Sequence, residues 1–463
     1  MNLPTRGGDL QRRRDIRPEP KGWNRPSSRH RLTPMSTSPP VAPAGSPGHV
    51  PDARSGYRAV LRVREFRAVF AAHLLSVLGV VVSEIALTIL VYDLTRSPLL
   101  SALTFAVGFL PYLIGGTLLS GVTDRYPARR VLVGCDLLCA LIVAGMVLPG
   151  VPVIVLLGLR FLLAVIAPVF TGTRMAALTD ILGEGDLYVL GRSLLRVVSQ
   201  SALLAGYGAG GVLLAVFSPR GAITGTLLTF LCSAALLRWG TRARPARHVR
   251  RRARLLAESL AGARYLFADR RTRAQVLLFW VPAMFVVAPE ALAAPYADSI
   301  GASPAALGLL MCAMPAGHIA AELGAGSLLA PRTRSRIVYP LAALGLLPLA
   351  GYALRPSLVW AIPLLVLAGV GGAYAVGLDQ WFVASVPEEL RGRGMTLMTA
   401  GLMTVQGIGM ALAGLAAEFW PVHRVVAGSA VLGTAVCVLL VAEARRARAR
   451  PETWRADEGA GAL

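Results

Sequence analysis

The sequence has little charge for its length, and this lack argues against an ordinary soluble protein. Charged residues make up 16% of the 463 residues and hydrophobic residues 55%, whereas a soluble domain of this size needs more charge to keep its surface hydrated. The apolar residues also occur in long runs, and the run from 99 to 122 contains no charged residue. About 20 apolar residues in a helix cross the hydrocarbon core of a bilayer, so the sequence predicts an all-α membrane protein.

Several chemical motifs are missing from the sequence as well. It contains no Gly-x-x-x-x-Gly-Lys-Ser/Thr loop, so ATP-driven chemistry is not indicated. It has five cysteines but no Cys-x-x-Cys pair, and no His, Asp and Glu spacing that makes a metal site, so we expect neither a disulfide framework nor a metal or other cofactor. We interpret the cysteines, which all lie in apolar runs, as small apolar residues.

Twelve segments are long and apolar enough to cross a membrane, and we predict a helix for each. The predicted spans, numbered one to twelve in chain order, are 67–91, 99–121, 131–149, 154–174, 191–216, 221–239, 274–297, 304–328, 337–354, 358–384, 394–416 and 424–443. The long basic connection 240–273 lies at the midpoint of the spans, so we predict six-helix bundles at 57–239 and 274–443. We expect cytoplasmic tails at 1–56 and 444–463, the first of them disordered because it is rich in Pro, Arg, Ser and Gly, with Met35 as an alternative start to Met1.

Arginine is concentrated in the even-numbered connections and the tails, and Lys21 is the only lysine. The even connections carry Arg125, Arg129, Arg130, the arginines of 242–273, Arg332, Arg334, Arg336, Arg391 and Arg393, whereas the odd ones carry only Arg96, Arg220, Arg355 and Arg424 at or near their ends. This asymmetry predicts that both termini are cytoplasmic in the inner (plasma) membrane of a cell. It accounts for the net charge of +22 without a nucleic-acid partner, and we expect the basic linker to lie on the anionic inner leaflet of the bilayer.

The connection between spans two and three carries a recognisable motif, Gly121-Val-Thr-Asp124-Arg125-Tyr-Pro-Ala-Arg129-Arg130. It resembles the signature of the major facilitator superfamily, G-x-x-x-D-R-x-G-R-R, with one residue fewer between glycine and aspartate and an alanine before the arginine pair. The equivalent segment between spans eight and nine, 329–336, keeps its arginines and lacks the acid. The segment from Phe66 to Pro98 is similar to the macrolide- and siderophore-efflux branches of that superfamily.

This resemblance implies two six-helix bundles around a central cavity, each built from inverted three-helix repeats. It also implies that the motif forms a cytoplasmic gate, in which the carboxylate of Asp124 pairs with basic groups and a helix N-terminus to hold the outward-facing state together. The predicted gate residues are Gly121, Asp124, Arg125, Arg129 and Arg130. The alternative is that the arginines only anchor the topology, which leaves Asp124 unexplained.

Ionisable residues inside the spans are candidate sites, because an unpaired charge in the bilayer costs several kcal/mol. We expect Glu84 in span one and Arg160 in span four to lie at similar depth and to face the central cavity, with Glu84 as the proton-coupling carboxylate and Arg160 as its charge partner. A purely structural ion pair is the alternative. Glu290 in span seven, between Pro289 and Pro295, is the second candidate for a proton or substrate role.

Other polar residues in the spans have simpler interpretations. Glu322, Asp379 and Gln380 lie near span ends, where interfacial water solvates them, and His73 and His318 are expected to make helix-packing hydrogen bonds. In span five, the glycines of Gly206-Tyr-Gly-Ala-Gly-Gly211 partly match a pattern associated with antiport in exporters. The pattern suits close helix packing equally well.

Together these features favour a monomeric secondary transporter that exports a small amphipathic organic compound, of the drug, antibiotic or siderophore type, by proton antiport. Two alternatives stay open at this point. A facilitator or importer of the same fold would show no dependence of export on the proton gradient. An integral-membrane enzyme would need a catalytic cluster at one membrane face, whereas the ionisable residues here are scattered over different spans.

Overall fold

The computed structural model describes residues 53–110, 126–183, 186–244, 267, 270–385 and 388–449, and all regular structure in these ranges is helical. A short helix, Ala53–Arg62, precedes the spans. The helices of the spans are Arg64–Thr95 (one), Pro98–Phe109 (two), Ala128–Val147 (three), Val153–Leu182 (four), Asp186–Val216 (five), Pro219–Gly240 (six), Arg270–Val286, Ala288–Ala291 and Ala293–Ser299 (seven), Pro304–Leu328 (eight), Pro331–Leu344 and the 3-10 helix Leu347–Leu354 (nine), Leu358–Gly371 and Tyr374–Ser385 (ten), Glu388–Ala417 (eleven), and Val422–Ala449 (twelve).

Three of the spans begin with the same Ser-Pro pair. Ser97, Ser218 and Ser303 each accept a hydrogen bond from a backbone N–H in the first turn of spans two, six and eight, and the following proline occupies a position where no N–H is needed. All three lie in odd-numbered connections. We call the end of the molecule that carries these connections the outer end, following the predicted orientation, and the opposite end the inner end.

Span seven is broken twice, at Val287 and at Leu292. Proline lacks the N–H that would bond to the carbonyl four residues earlier, so Pro289 and Pro295 each remove one bond from the helical ladder close to these breaks. The breaks leave Glu290 on a four-residue helix, Ala288–Ala291, and not in a continuous span. Span seven is therefore interrupted beside the two prolines between which Glu290 lies in the sequence.

The contacts between helices repeat with a shift of six spans. Span one packs on spans two, five and six, and span seven packs on spans eight, eleven and twelve; the contacts of span three with spans four and six recur as contacts of span nine with spans ten and twelve. Between the halves, span two packs on span eleven and span five on span eight, which is the same contact under exchange of the halves. This pattern is that of two equivalent six-helix bundles, although the predicted boundaries at residues 240–273 stay a prediction because most of that linker lies outside the described ranges.

Large apolar side chains cover the outside of the helices. Leu141, Trp239 and Leu439, for example, are 69%, 80% and 70% exposed. An exposed apolar surface of this extent suits lipid and not water. In the described ranges, eleven helices are long and apolar enough to cross a membrane, and Pro98–Phe109 is a shorter apolar helix of the same kind. The chain is therefore a multi-pass membrane protein, as the sequence predicted.

Close packing inside the second half depends on glycine, and this gives a test of the fold. A Cβ at Gly317 of span eight would lie 2.9 Å from the carbonyl carbon of Val366 in span ten, whereas a Cβ at Gly324 of the same span would meet none of the described residues within 4 Å. We expect Gly317→Ala to destabilise the protein by about 1–3 kcal/mol through overpacking. The apparent melting temperature of the purified chain in detergent should fall by several degrees.

Gly324→Ala is the matched control for this substitution. Alanine favours a helix over glycine by about 1 kcal/mol, so the control should melt at or slightly above the temperature of the parent. Equal melting temperatures for the two variants would contradict the packing of span eight on span ten.

Candidate transport site

Glu84 of span one and Arg160 of span four form a buried ion pair. Arg160 Nη2 donates to Glu84 Oε1, and Arg160 Nε donates to the carbonyl oxygen of Thr104 in span two at 3.4 Å. Each of the two charged residues is only 9% exposed. The structure thus brings together the two residues selected from the sequence, at a depth of about two to three turns from the outer end.

Gly108 of span two makes room for this ion pair. A Cβ at this position would collide with the Arg160 guanidinium, and would lie 3.0 Å from its Cζ and 3.3 Å from Glu84 Oε1. Glycine is therefore required at this point by a side chain from another helix and not by its own backbone conformation. The pair is enclosed by three helices of the first half, spans one, two and four.

Glu290, the third candidate, meets the first half through Tyr207 of span five. The Tyr207 hydroxyl donates to Glu290 Oε1 at 2.6 Å, and Tyr207 is 3% exposed. Glu290 and Tyr207 are both close enough to Glu84 to interact electrostatically, and Tyr207 also interacts with Arg160. These four residues lie at a similar depth on spans one, four, five and seven, and we call them the outer polar layer.

Further contacts between the halves lie at the outer end, above this layer. Glu418, at the end of span eleven, accepts hydrogen bonds from the Ser97 hydroxyl and from the backbone N–H of Leu99 at the start of span two. Arg96 lies 3.6 Å from the carboxylate of Asp298 at the end of span seven, and the Tyr92 hydroxyl donates to the same carboxylate. The two halves are therefore held together at the outer end.

The glycines of span five divide between two neighbouring helices. Gly206 and Gly210 face Val81 and Ile85 of span one, on either side of Glu84. Gly211 faces span eight, where an added Cβ would lie 2.7 Å from Gly308 Cα. The pattern therefore serves close packing, and it packs one helix against both halves of the protein. Whether it also bears on antiport stays a prediction.

A second buried polar group lies nearer the inner end of the first half, and the sequence analysis did not select it. Asp136 of span three is fully buried and accepts hydrogen bonds from Ser233 of span six at 2.6 Å and from Ser76 of span one at 3.3 Å. Asp136 also interacts electrostatically with Arg174 of span four. Both charges fall inside predicted spans, which was the signal available in the sequence.

His73 connects Arg174 with span five. Arg174 Nη1 donates to His73 Nδ1, so His73 carries its proton on Nε2 and donates it to the Ser199 hydroxyl at 2.8 Å. Arg174 also lies over the ring of Phe170 at 4.3 Å. The helix-packing role expected for His73 therefore has specific partners on two other spans.

Two cavities lie between the halves and meet at Leu203 of span five, which borders both. The first, of about 370 Å³, is lined mainly by the first half, and its polar lining residues are His73, Ser76, Glu84, Arg160, Thr171, Arg174 and Ser199. The second, of about 410 Å³, is lined mainly by the second half, and its polar lining residues are Gln200, His318, Glu322, Tyr374, Asp379 and Gln406. The remaining walls of both are largely apolar, with Phe109 and Phe170 in the first and Phe279 and Met314 in the second.

Ionisable side chains of spans eight and ten lie together at the second cavity, and the interfacial solvation expected for Glu322 and Asp379 stays a prediction. His318 lies 3.4 Å from the Glu322 carboxylate one turn away, and both residues line the cavity together with Asp379. Gln406 Oε1 is buried at the cavity wall and accepts no hydrogen bond from the described residues. Buried carbonyl oxygens normally find a donor, so this atom is suited to a donor group on a bound molecule or to water.

The predicted cytoplasmic gate lies mostly outside the described residues. This holds for Gly121, Asp124 and Arg125, whereas Arg129 and Arg130 lie in the first turn of span three, Arg129 half-buried and Arg130 exposed. The gate role of these residues stays a prediction. Among the described residues, no group of three or more His, Cys, Asp or Glu side chains is placed to hold a metal ion.

Known proteins resemble this chain over almost its whole length. The sequence profile of a family described as transmembrane secretion effectors matches residues 55–457. The enterobactin exporter EntS of Shigella boydii serotype 4 is 28% identical over 417 residues, which cover 85% of this chain and 95% of that exporter.

Solved transporter structures share the fold. The nucleoside transporter NupG covers 82% of this chain and 99% of its own, with 12% identity and a TM-score of 0.64. A bacterial homologue of the human lysosomal transporter Spinster, in an inward-facing and unoccupied conformation, covers 86% of this chain and 96% of its own, with 15% identity and a TM-score of 0.58. At these identities the likeness shows the fold alone, which is the twelve-helix fold of the major facilitator superfamily.

The Glu84–Arg160 ion pair of the outer polar layer can be tested through the thermal stability of variants. Replacing Glu84 with leucine leaves the buried Arg160 without its carboxylate, and loss of one partner of a buried pair costs about 3–5 kcal/mol. We expect Glu84→Leu to lower the melting temperature of the purified chain strongly, and the double variant with Arg160→Met to recover most of the loss because no unpaired charge is left.

Glu443→Gln is the control, since the Arg270–Glu443 pair is 41% and 40% exposed and such a pair contributes at most about 1 kcal/mol. If the double variant melted no higher than Glu84→Leu alone, the two side chains would not be energetically coupled.

Proposed function

We propose that the chain, which belongs to the family of transmembrane secretion effectors, exports a small organic compound from the cell and drives export by proton antiport. Family membership and the similarity to an enterobactin exporter support export of a small molecule. The observation that carries the coupling proposal is the buried Glu84–Arg160 pair in the wall of the cavity between the halves. A carboxylate in that place can bind and release a proton where a substrate would also bind.

The two cavities suit an amphipathic compound of the drug, antibiotic or siderophore type. Their walls are mostly apolar, and a few polar groups are placed along them, which is the usual character of a small-molecule site. The orphan oxygen of Gln406 would accept a donor group of the compound. Since cavities of this kind lie near the middle of the bilayer in transporters, we assign substrate binding to them.

Proton coupling in this proposal depends on a change of partner at Arg160. While Glu84 is ionised, Arg160 is neutralised by it inside a protein region of low polarity. When Glu84 takes up a proton, the Arg160 charge loses its partner, so the helices around it must rearrange or admit water. Proton uptake from outside and substrate uptake from inside would then alternate, because each favours a different arrangement of the pair.

The structure corresponds in this proposal to a state closed at the outer end. The contacts of Glu418 and Asp298 with the first half hold that end together. Asp124 would stabilise the opposite state, closed at the inner end, as the resemblance of its motif implies. Both termini would be cytoplasmic, and the chain would act as a monomer in the inner membrane without a cofactor.

Accumulation of fluorescent dyes, antibiotics and enterobactin in cells that express the chain is the test of this proposal. We expect at least one compound to accumulate less than in control cells. A protonophore should abolish the difference, because it removes the driving force. Asp124→Asn and Glu84→Gln should abolish it too, whereas Glu443→Gln should keep it.

Two outcomes would contradict the proposal. Increased accumulation would indicate an importer, and export that is unaffected by the protonophore and by Glu84→Gln would exclude proton antiport through this carboxylate. Membrane levels of each variant, measured by immunoblot, show whether a loss reflects activity or expression.

A further inference from the structure

The hydrogen bond from Tyr207 to Glu290 differs from the contacts that Asp298 and Glu418 make between the halves. Contacts of Asp298 and Glu418 lie at the exposed outer end, whereas Tyr207 is almost fully buried. Its hydroxyl donates to a carboxylate that lies on a broken span of the opposite half, at a donor–acceptor distance of 2.6 Å. A bond in this place must break whenever the outer ends of spans five and seven separate.

We propose that Tyr207 is a positioning residue that links the protonation of Glu290 to closure of the outer end. The proposal rests on the proposed alternating access of a transporter, and it adds a role for a residue outside the Glu84–Arg160 pair. While Glu290 is ionised, the Tyr207 hydroxyl holds the two halves together. When Glu290 is protonated, this bond weakens and the outer end opens more readily.

The chemistry of the acceptor determines in which direction protonation of Glu290 shifts the closure of the outer end. A hydrogen bond to an ionised carboxylate is about twice as strong as one between neutral groups, so protonation of Glu290 removes part of what holds the outer end closed. Among the described residues, the ionisable groups close to Glu290 are Tyr207 and Glu84 from the first half, and Tyr296 and Tyr352, which border a cavity of about 20 Å³ beside it. Glu84 is paired with Arg160, and the Tyr207 hydroxyl donates to Glu290.

The contacts of span five can transmit the loss of this hydrogen bond to the Glu84–Arg160 pair. On one side of Tyr207, the glycines at 206 and 210 bring the helix against Val81 and Ile85, which flank Glu84 in the sequence. On the other side, Gly211 meets the backbone of Gly308 in span eight. A displacement of Tyr207 would therefore shift both the helix that carries Glu84 and span eight of the second half.

The test measures the distance between the outer ends by double electron–electron resonance. Spin labels would be placed on Leu94→Cys and Phe419→Cys, which are exposed outer-end positions of the first and second halves, in the full chain with its five native cysteines replaced by alanine. No transport substrate is needed. We expect one short distance at mildly alkaline pH, and a second, longer distance that gains about tenfold in population ratio at mildly acidic pH.

Tyr207→Phe is the decisive variant. It keeps the ring and removes only the hydroxyl, so the longer distance should already be populated at alkaline pH, where Asp298 and Glu418 are still ionised. Glu290→Gln removes the protonation of this residue, so its distance distribution should be the same at the two pH values. Tyr296→Phe is the matched control, because the Tyr296 hydroxyl donates to the Pro356 carbonyl within one half, and it should keep the profile of the parent.

An unchanged profile in Tyr207→Phe would overturn the proposal, as would a parent chain whose distances do not depend on pH. These outcomes are separate from those of the export assay. A pH-dependent distance that Tyr207→Phe abolishes would stand even if no exported compound were found, and proton-driven export with a pH-independent distance would retain the function and reject this role for Tyr207.

Discussion

The cost of an unpaired charge inside the membrane is the constraint on which the rest of this structure depends. An ionisable group inside the spans needs a partner or water, since lipid offers neither. Glu84 therefore forms an ion pair with Arg160 of span four, and Asp136 accepts hydrogen bonds from serines of spans one and six. These requirements determine which helices are neighbours as firmly as apolar packing does, and they place chemically active groups at two depths of the first half.

The helices must also approach one another closely, and glycine allows this where polar groups of different helices converge. The absence of a side chain at Gly108 leaves the space that the Arg160 guanidinium fills. The contact of Gly211 with Gly308 brings spans five and eight together across the two halves, at the depth where Tyr207 reaches Glu290. Small residues thus bring the Glu84–Arg160 pair and the interface between the halves into one layer, which is the basis of the proposal that a change of protonation there affects both.

The fold could be predicted from the sequence because span length and charge placement are direct consequences of bilayer thickness and topology. The depth of a residue can also be counted along a span, and this was sufficient to select Glu84, Arg160 and Glu290. Contacts across the two halves could not be obtained in this way. Tyr207 lies within the glycine pattern of span five, and the sequence does not indicate its partner, which lies 83 residues away on a broken helix. Asp136 is a charge inside a predicted span, but its serine partners on spans one and six carry no signal of their own.

The central claim is that substrate and proton move in opposite directions through one cavity, with Glu84 as the carboxylate that exchanges the proton. The most direct measurement is proton flux in proteoliposomes that contain the purified chain and a pH-sensitive dye, after addition of the compound that the cells export most strongly. The account predicts that uptake of this compound drives protons the opposite way, and that Glu84→Gln stops proton flux. Movement of the compound without any proton flux, or an undiminished flux in Glu84→Gln, would contradict it.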